Sequence, residues 1–573
     1  MGNTLRSLLK ISALSLLILW PLLYLTTTIN DDAFVYYTYA KNFARGNFFA
    51  YDPRGIPSEG FTSLLYMILL VPFEMIHLPL SLAALLINIV SILGAAFLSC
   101  KMFELLFPEQ SRKSYLVGMG FLFSVYCDSN VRGLLGWGLE TISNIPVFLG
   151  LIYSSLLVIK TGERKSFNSV LGLYALSVLV RPENLVLGGP WVLIGFSSLS
   201  SKREGVRSII MFALMGAVFL LAKYLVFGDF VPTGYYRKMS GQPLNLNYLK
   251  EYLKEYSIVF HPVYWLGMLC LSAKSVSLSK NTMAKKTLVG LVLTLIALIL
   301  FVLKIEPIQG YLQRYLTLGT IIVYLLASSL FALVIPTRKT VEACFILFVV
   351  VVLFSGFQQR YRINPLALYQ ESIAQMNQDT YVTLGRFLQA HVKNPQEVSL
   401  MFGDAGSIPY FFDSKFIDIN GLTEPEIARM FKAKNRKEKV ATYISNQKLD
   451  MAVLAVENSW INLSKDSQHL PQGPLKSPRE YAHLLRKMRK DGFAYAGTIH
   501  APSYDLHFGL NKHSENFADL KKVLLEYMGQ GRGFVKDSDL RVEFSDGDVI
   551  FENIHRSRTP SPSEKEKEIT RTL

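Results

Sequence analysis

Residues 11–46 read "ISALSLLILWPLLYLTTTINDDAFVYYTYAKNFARG". Positions 11–29 carry no charge, and about 20 such residues are what a helix needs to cross a bilayer. The apolar run then stops at Asn30, Asp31 and Asp32, two carboxylates side by side where a membrane would end. Beyond them the tyrosine-rich "AFVYYTYAKNFARG" reads as an amphipathic helix. Asn and Asp are preferred helix caps, but one residue suffices to cap. A second acid is then left over, and its other use is as a general base.

The rest of the chain supports the membrane reading. Of 573 residues, 50% are hydrophobic and 18% charged, against about 25% charged in an average soluble protein; mean hydropathy is +0.28. The formal charge is +15, but the cations sit in short loops between apolar blocks, where they set topology. No basic stripe with interleaved aromatics is present, which sets nucleic acid aside. Cys100, Cys127, Cys270 and Cys344 lie in or against apolar blocks without metal-ligand spacing, and buried cysteine acts as a small apolar residue. Arg6 and Lys10 precede the first run, and "LTTTINDD" makes a poor cleavage site, so the segment is expected to stay as an uncleaved helix.

Loop charge orders the crossings. Arg6 and Lys10 place the N-terminus in the cytoplasm, so Asp31 and Asp32 emerge outside. The basic loops 108–114, 160–166, 200–207, 273–286 and 336–340 are then cytoplasmic. The count closes if 61–76 lies along the outer surface and 78–107 crosses. Further crossings are expected at 114–128, 141–159, 167–181, 184–199, 207–227, 257–272, 287–304, 316–335 and 341–357, about eleven in all by this rule.

That topology gathers unlike charges at the outer face: Asp31, Asp32, Glu59, Glu140, Arg181, Arg237, Lys238 and Arg314 among them. Ionisable groups at such depth face water, a partner or a ligand. Each motif also has a plainer use. "YDPRGIPSEGFTS" (51–63) carries Glu59 in a breaker-rich loop that could be merely solvated. "RGLLGWGLET" (132–141) and "VLVRPENLVL" (178–187) could close hairpins by ion pairs through Glu140 and Arg181. "VFGDFVPTGYYRKMSG" (226–241) sets Arg237 and Lys238 beside tyrosines, either for a phosphate or as an interfacial belt. "GYLQRYL" (310–316) adds Arg314 as a second phosphate candidate. No phosphate loop, dinucleotide fingerprint or zinc motif appears in a suitable context; whether a divalent ion assists stays open.

Taken in order, these motifs resemble the GT-C superfamily of integral-membrane glycosyltransferases, and within it the branch that includes cell-wall arabinofuranosyltransferases. The likeness is carried by "DDAFVYYTYAKNFARGNF…SEGFTS", "GWGLET", "VRPEN", "FGDFVPTGYYRK" and "GDAGSIPYFFDSKFIDINGLTEPEIAR" (403–429). Thr38 and Lys41 stand where relatives often have arginine, and "PTG" replaces "PNT". The resemblance implies inverting transfer of a sugar from a polyprenyl-phosphate carrier to a cell-envelope hydroxyl, outside a bacterial inner membrane and with no other cofactor. It implies Asp31 as base with Asp32 as its neighbour, and it matches Glu59 and Lys238 to motif positions. A flippase for lipid-linked sugars is the rival class, but transporters keep their sites near the midplane; within the enzyme reading the nearest alternative is a protein or lipid-A glycosyltransferase of the same superfamily.

After Gln358 the sequence turns polar. Strand-like "EVSLMFG", "DMAVLAV", "FAYAGTIH" and "DLHFGL" alternate with helical runs, which argues an α/β domain. The expected organisation is a GT-C-like membrane domain over 1–358, an extracytoplasmic α/β domain over 359–555 and a disordered tail over 556–573. Asp404, in "GDAG" after a strand, is a candidate acceptor contact or a structural turn.

Overall fold

A computed structural model describes residues 29–238, 281–304, 314–334, 379–430, 435–457, 487–488, 490–500, 504–529, 534–535, 540–545 and 548–553, with isolated positions 246, 249–250 and 433. The expected crossings at 11–29, 257–272 and 341–357 and the expected tail lie outside the described residues. The chain divides into two compact units, one of Met1–Tyr51 with Gly55–Glu371 and one of Asp52–Arg54 with Ser372–Leu573.

The first unit is helical. Its described helices are α1 (Asp31–Ala44), α2 (Leu64–Met75), α3 (Leu80–Leu106), α4 (Ser114–Cys127), α5 (Ser129–Gly136), α6 (Asn144–Thr161), α7 (Arg164–Val180), α8 (Asn184–Leu187), α9 (Gly189–Ser198), α10 (Lys202–Phe227), α11 (Thr233–Lys238), α12 (Thr282–Lys304) and α13 (Thr317–Val334). Among the described residues, α3, α6, α10 and α12 are long and apolar enough to cross a membrane. The expected crossing at 184–199 is broken into α8 and α9 at Gly188. The one at 114–128 is a shorter helix that ends where Asp128 caps α5, accepting from the amides of Asn130 and Val131.

Helices in lipid associate through close packing, since lipid tails already solvate leucine. The seam on α3 follows that logic: Ala83, Ala84, Ser91, Ala95, Ala96 and Ser99 are buried, while Leu82, Leu86, Val90 and Phe97 point outward. Ile92, Phe103, Val117, Phe121, Phe148, Leu149, Phe167 and Trp191 fill the adjoining core. In contrast, α10 buries only Gly205 and Ser208 in this unit's described part.

Helix α1 departs from the amphipathic expectation. Asn30 caps it by accepting from the Asp32 amide at 2.9 Å, and every residue from Ala33 to Asn42 is buried. Aromatic edges surround it: Tyr36 meets Tyr66 at 5.3 Å, and Tyr39 meets Phe61 at 4.8 Å. The loop before α6 runs along this helix, with the Asn30 amide donating to the Trp137 carbonyl at 3.0 Å. Gly138 there has φ +77°, and a Cβ would lie 2.2 Å from the Tyr37 hydroxyl. Only glycine fits so close a crossing in that conformation.

The second unit is α/β. Strands β1 (Ser399–Phe402), β2 (Lys415–Asp418), β3 (Met451–Glu457), β4 (Phe493–His500), β5 (Tyr504–Asn511) and β6 (Phe534–Val535) form one sheet in the order β2-β1-β3-β5-β4-β6. β1 is parallel to β2 and β3, and the other pairs are antiparallel. Met401, Ile417, Ile427, Val440, Ile444 and Ala452 pack beside it. β7 (Leu540–Ser545) and β8 (Asp548–Asn553) make a separate hairpin.

Candidate active site

Charged residues from four separate segments of the first unit meet beside the start of α1. Arg314 donates from Nη1 to the Asp32 carboxylate at 3.3 Å. Its guanidinium also lies over the ring of Tyr315, 5.2 Å from the centroid. On the same ring sits Arg181, at 5.9 Å. Arg181 caps the C-terminal end of α7, where cationic side chains suit the helix dipole, and its Nη1 donates to Glu140 at 3.0 Å and to Thr141 at 3.3 Å. Its Nε donates to Glu183. The hydroxyl of Tyr36 on α1 bonds Thr62 at 3.0 Å and accepts from the Ser63 amide at 3.2 Å.

These pairings explain how so many charges stand at low exposure. Breaking one side of a buried pair is costly, while the intact pair is tolerated. Arg181 is held by two carboxylates, so it acts here as the link between the 140 loop and the 183 turn. Thr141, Asn144, Arg181, Glu183, Arg314 and Tyr315 line a cavity of about 10 Å³, room for about one water. Asn184, fully buried, donates to the Asn144 side chain at 2.6 Å and thereby fixes one wall.

A second polar cluster lies around Glu59. Lys223, near the C-terminal end of α10, pairs with its carboxylate at 2.8 Å. The Glu59 carbonyl accepts from both the amide and the hydroxyl of Thr233 at the start of α11, at 3.2 and 2.8 Å. Burial pushes the Glu59 carboxyl above its ordinary 4.5; Lys223 opposes the rise and Asp229 adds to it. The flanking residues are tied to α1, since the Tyr39 hydroxyl bonds Ser58 at 2.6 Å and accepts from the Gly60 amide at 3.0 Å.

Of the residues singled out from sequence, Asp32, Glu140, Arg181 and Arg314 therefore share one network, and Asp31 stands half-buried next to Asp32 in the first turn of α1. Glu59 belongs to the other cluster. Arg237 and Lys238 close α11, and their side chains lie outside the described residues. Asp404 belongs to the second unit, half-buried in the loop between β1 and the helix Ser407–Phe411. Sequence reasoning missed Tyr315 and Lys223. Lysine inside the apolar "LLAKYLVF" was a usable signal, because an ionisable residue in a membrane helix needs a partner.

Residues 369–502 match a family model described as a domain of unknown function, DUF8728. No curated protein matches the sequence. In structure the chain is similar to ArnT from Cupriavidus metallidurans. The form bound to undecaprenyl phosphate has 13% identity, a TM-score of 0.53 and coverage of 88% of this chain and 98% of that one. The apo form has 12% identity, a TM-score of 0.55 and coverage of 89% and 98%. The archaeal oligosaccharyltransferase AglB from Archaeoglobus fulgidus, in complex with an inhibitory peptide and a dolichol-phosphate, gives 11% identity and a TM-score of 0.47 over 98% of this chain and 80% of that one. At such identities the ArnT likeness is one of fold. The chain has the expected GT-C-like architecture, a multi-pass helical membrane protein with an α/β region towards its C-terminus.

Proposed function

We propose that this protein transfers a sugar from a polyprenyl-phosphate carrier to an acceptor hydroxyl of the cell envelope, with inversion at the anomeric carbon. The observation that carries the reading is the network of Asp32, Arg314, Tyr315, Arg181 and Glu140 beside the paired acids that open α1. The fold likeness to a protein crystallised with undecaprenyl phosphate supports the same substrate class.

Asp31 is the base. The motif likeness assigns this role to Asp31; Asp32 is engaged by Arg314 at 3.3 Å and holds the network, and both acids stand in the first turn of α1, where the dipole keeps a carboxylate ionised. Asp31 takes the proton of the acceptor hydroxyl as its oxygen attacks the anomeric carbon. The bond from that carbon to the phosphate oxygen breaks, and the lipid phosphate leaves with the electron pair. One displacement without a covalent intermediate inverts the centre, the logic known for inverting sugar hydrolysis. Arg237, Lys238 and Arg314 meet the growing charge on the phosphate; such fixed cations act most strongly where water is excluded.

The site faces the extracytoplasmic side of an inner membrane, residues 1–358 form the catalytic domain and 359–555 lie outside. The test is to reconstitute the protein in vesicles and offer a panel of polyprenyl-phosphate sugars with envelope acceptors, reading the anomeric configuration of any product by NMR. An inverted product supports the proposal; a retained configuration, or no transfer across the panel, sinks it.

A further inference from the structure

We propose that Glu59 is a positioning residue that ties the phosphate end of the site to the helix of the base, and not a sugar ligand. The inference rests on the carrier-phosphate role given above to Arg237 and Lys238. Its ground is the direction of two Glu59 contacts. The carboxylate points to Lys223, with both side chains about nine-tenths buried, at 9% and 11% exposure. The carbonyl holds Thr233 through two hydrogen bonds. Both contacts run to the chain around α11, Lys223 before it and Thr233 at its start.

The contacts form one continuous path. Tyr39 on α1 holds Ser58 and Gly60 on either side of Glu59. Glu59 holds Thr233, which begins α11, and α11 ends at Arg237 and Lys238. Asp229 stiffens the approach, accepting from the amides of Phe230 and Val231 at 2.8 and 3.4 Å and from the Tyr236 hydroxyl at 2.5 Å. α1 begins at Asp31 and Asp32. The two ends of the proposed reaction centre are thus joined by hydrogen bonds that pass through a single residue.

Lys223 gives the path its third anchor. Over most of its length α10 buries no residue in the described part of the unit. Near its C-terminal end it is fastened by the Lys223–Glu59 pair and by Phe227 edge-on to Phe49 at 5.2 Å. These contacts hold the end of α10 and with it the start of the segment that follows, 228–238. Misplacement of a binding group by about 1 Å can cost about 100-fold in rate, so a single buried pair here sets donor geometry at a distance.

The test uses the full chain in lipid nanodiscs and four variants: Glu59→Gln, Lys223→Met, the charge exchange Glu59→Lys with Lys223→Glu, and the milder Thr233→Val. Hydrogen exchange is read first, without any lipid phosphate. Amides of 229–238 are expected to exchange about tenfold faster in the first two variants and in Thr233→Val, while α3 and α6 keep their rates as a control for folding. Undecaprenyl phosphate is then the binding probe. Its affinity is expected to fall about tenfold, and in transfer KM for the donor should rise far more than kcat falls, the split of a lost binding geometry. The charge exchange should recover part of both. Unchanged exchange in 229–238, or faster exchange with undecaprenyl phosphate held as tightly as by wild type, overturns the inference alone. A wild-type protein that binds no undecaprenyl phosphate overturns the functional proposal and this inference with it.

Discussion

Replacing Gly138 by alanine tests whether the loop of "GWGLET" is pressed against α1 as described. Two costs add. The residue sits at φ +77°, where a side chain costs about 1–2 kcal/mol. Its methyl would also lie 2.2 Å from the buried Tyr37 hydroxyl and 3.0 Å from the Ala33 Cβ, and overpacking of this kind costs about 1–3 kcal/mol. The expected destabilisation is therefore about 2–5 kcal/mol. Equilibrium unfolding in mixed micelles reads it, and Tyr37→Phe separates the two parts. Removing the hydroxyl leaves the ring carbon Cζ as the nearest tyrosine atom at 3.3 Å, so Gly138→Ala should cost less in that background while the backbone strain stays. Ala33 is in the first turn with Asp31 and Asp32, so transfer should fall together with stability. Gly138→Ala within about 0.5 kcal/mol of wild type, the range of ordinary surface changes, would refute the packing of this loop on α1.

Three further outcomes follow from the same contacts. Arg181→Met strands Glu140 and Glu183 without their cation and should cost about 3–5 kcal/mol, with Glu140→Gln in the same chain recovering part of it in a double-mutant cycle. Tyr324→Phe removes a 2.6 Å hydrogen bond to the buried Asp128 and should cost about 1–3 kcal/mol in the same unfolding assay. Glu59 carries a raised carboxyl pKa, so the folded state holds that proton more tightly than the unfolded one. Its contribution to stability is full below the ordinary value of 4.5 and is lost as pH rises through the higher folded value. Wild type should accordingly lose stability relative to Glu59→Gln as pH climbs from 4.5, and a difference that grows the other way would contradict the burial of that group.

What was legible beforehand follows from how local each signal is. The apolar blocks of α3, α6, α10 and α12 announce themselves within one window, as do the alternating strands β3 and β5. "INDDAF" was legible in its main point: Asn30 takes the cap, so neither aspartate is needed for it. The hydrophobic pattern misled at α1, where tyrosines and Thr38 look half-polar in sequence yet are buried among other aromatic rings. β2 was missed because "KFID" is too short to show a period. The pairing of Asp32 with Arg314 spans 282 positions. No local pattern encodes which of several outer cations will meet which acid. The stacking of Arg181 and Arg314 on Tyr315 is hidden for the same reason, since an aromatic at a membrane end reads first as interfacial belt.

The most direct test of the central claim is single-turnover transfer in vesicles by wild type and by Asp31→Asn and Asp32→Asn, each checked for insertion and folding. Removing the base should lower the rate by about 100- to 10,000-fold in Asp31→Asn with donor affinity retained, while Asp32→Asn loosens Arg314 and weakens donor binding as well. Transfer by Asp31→Asn at the wild-type rate would contradict the account.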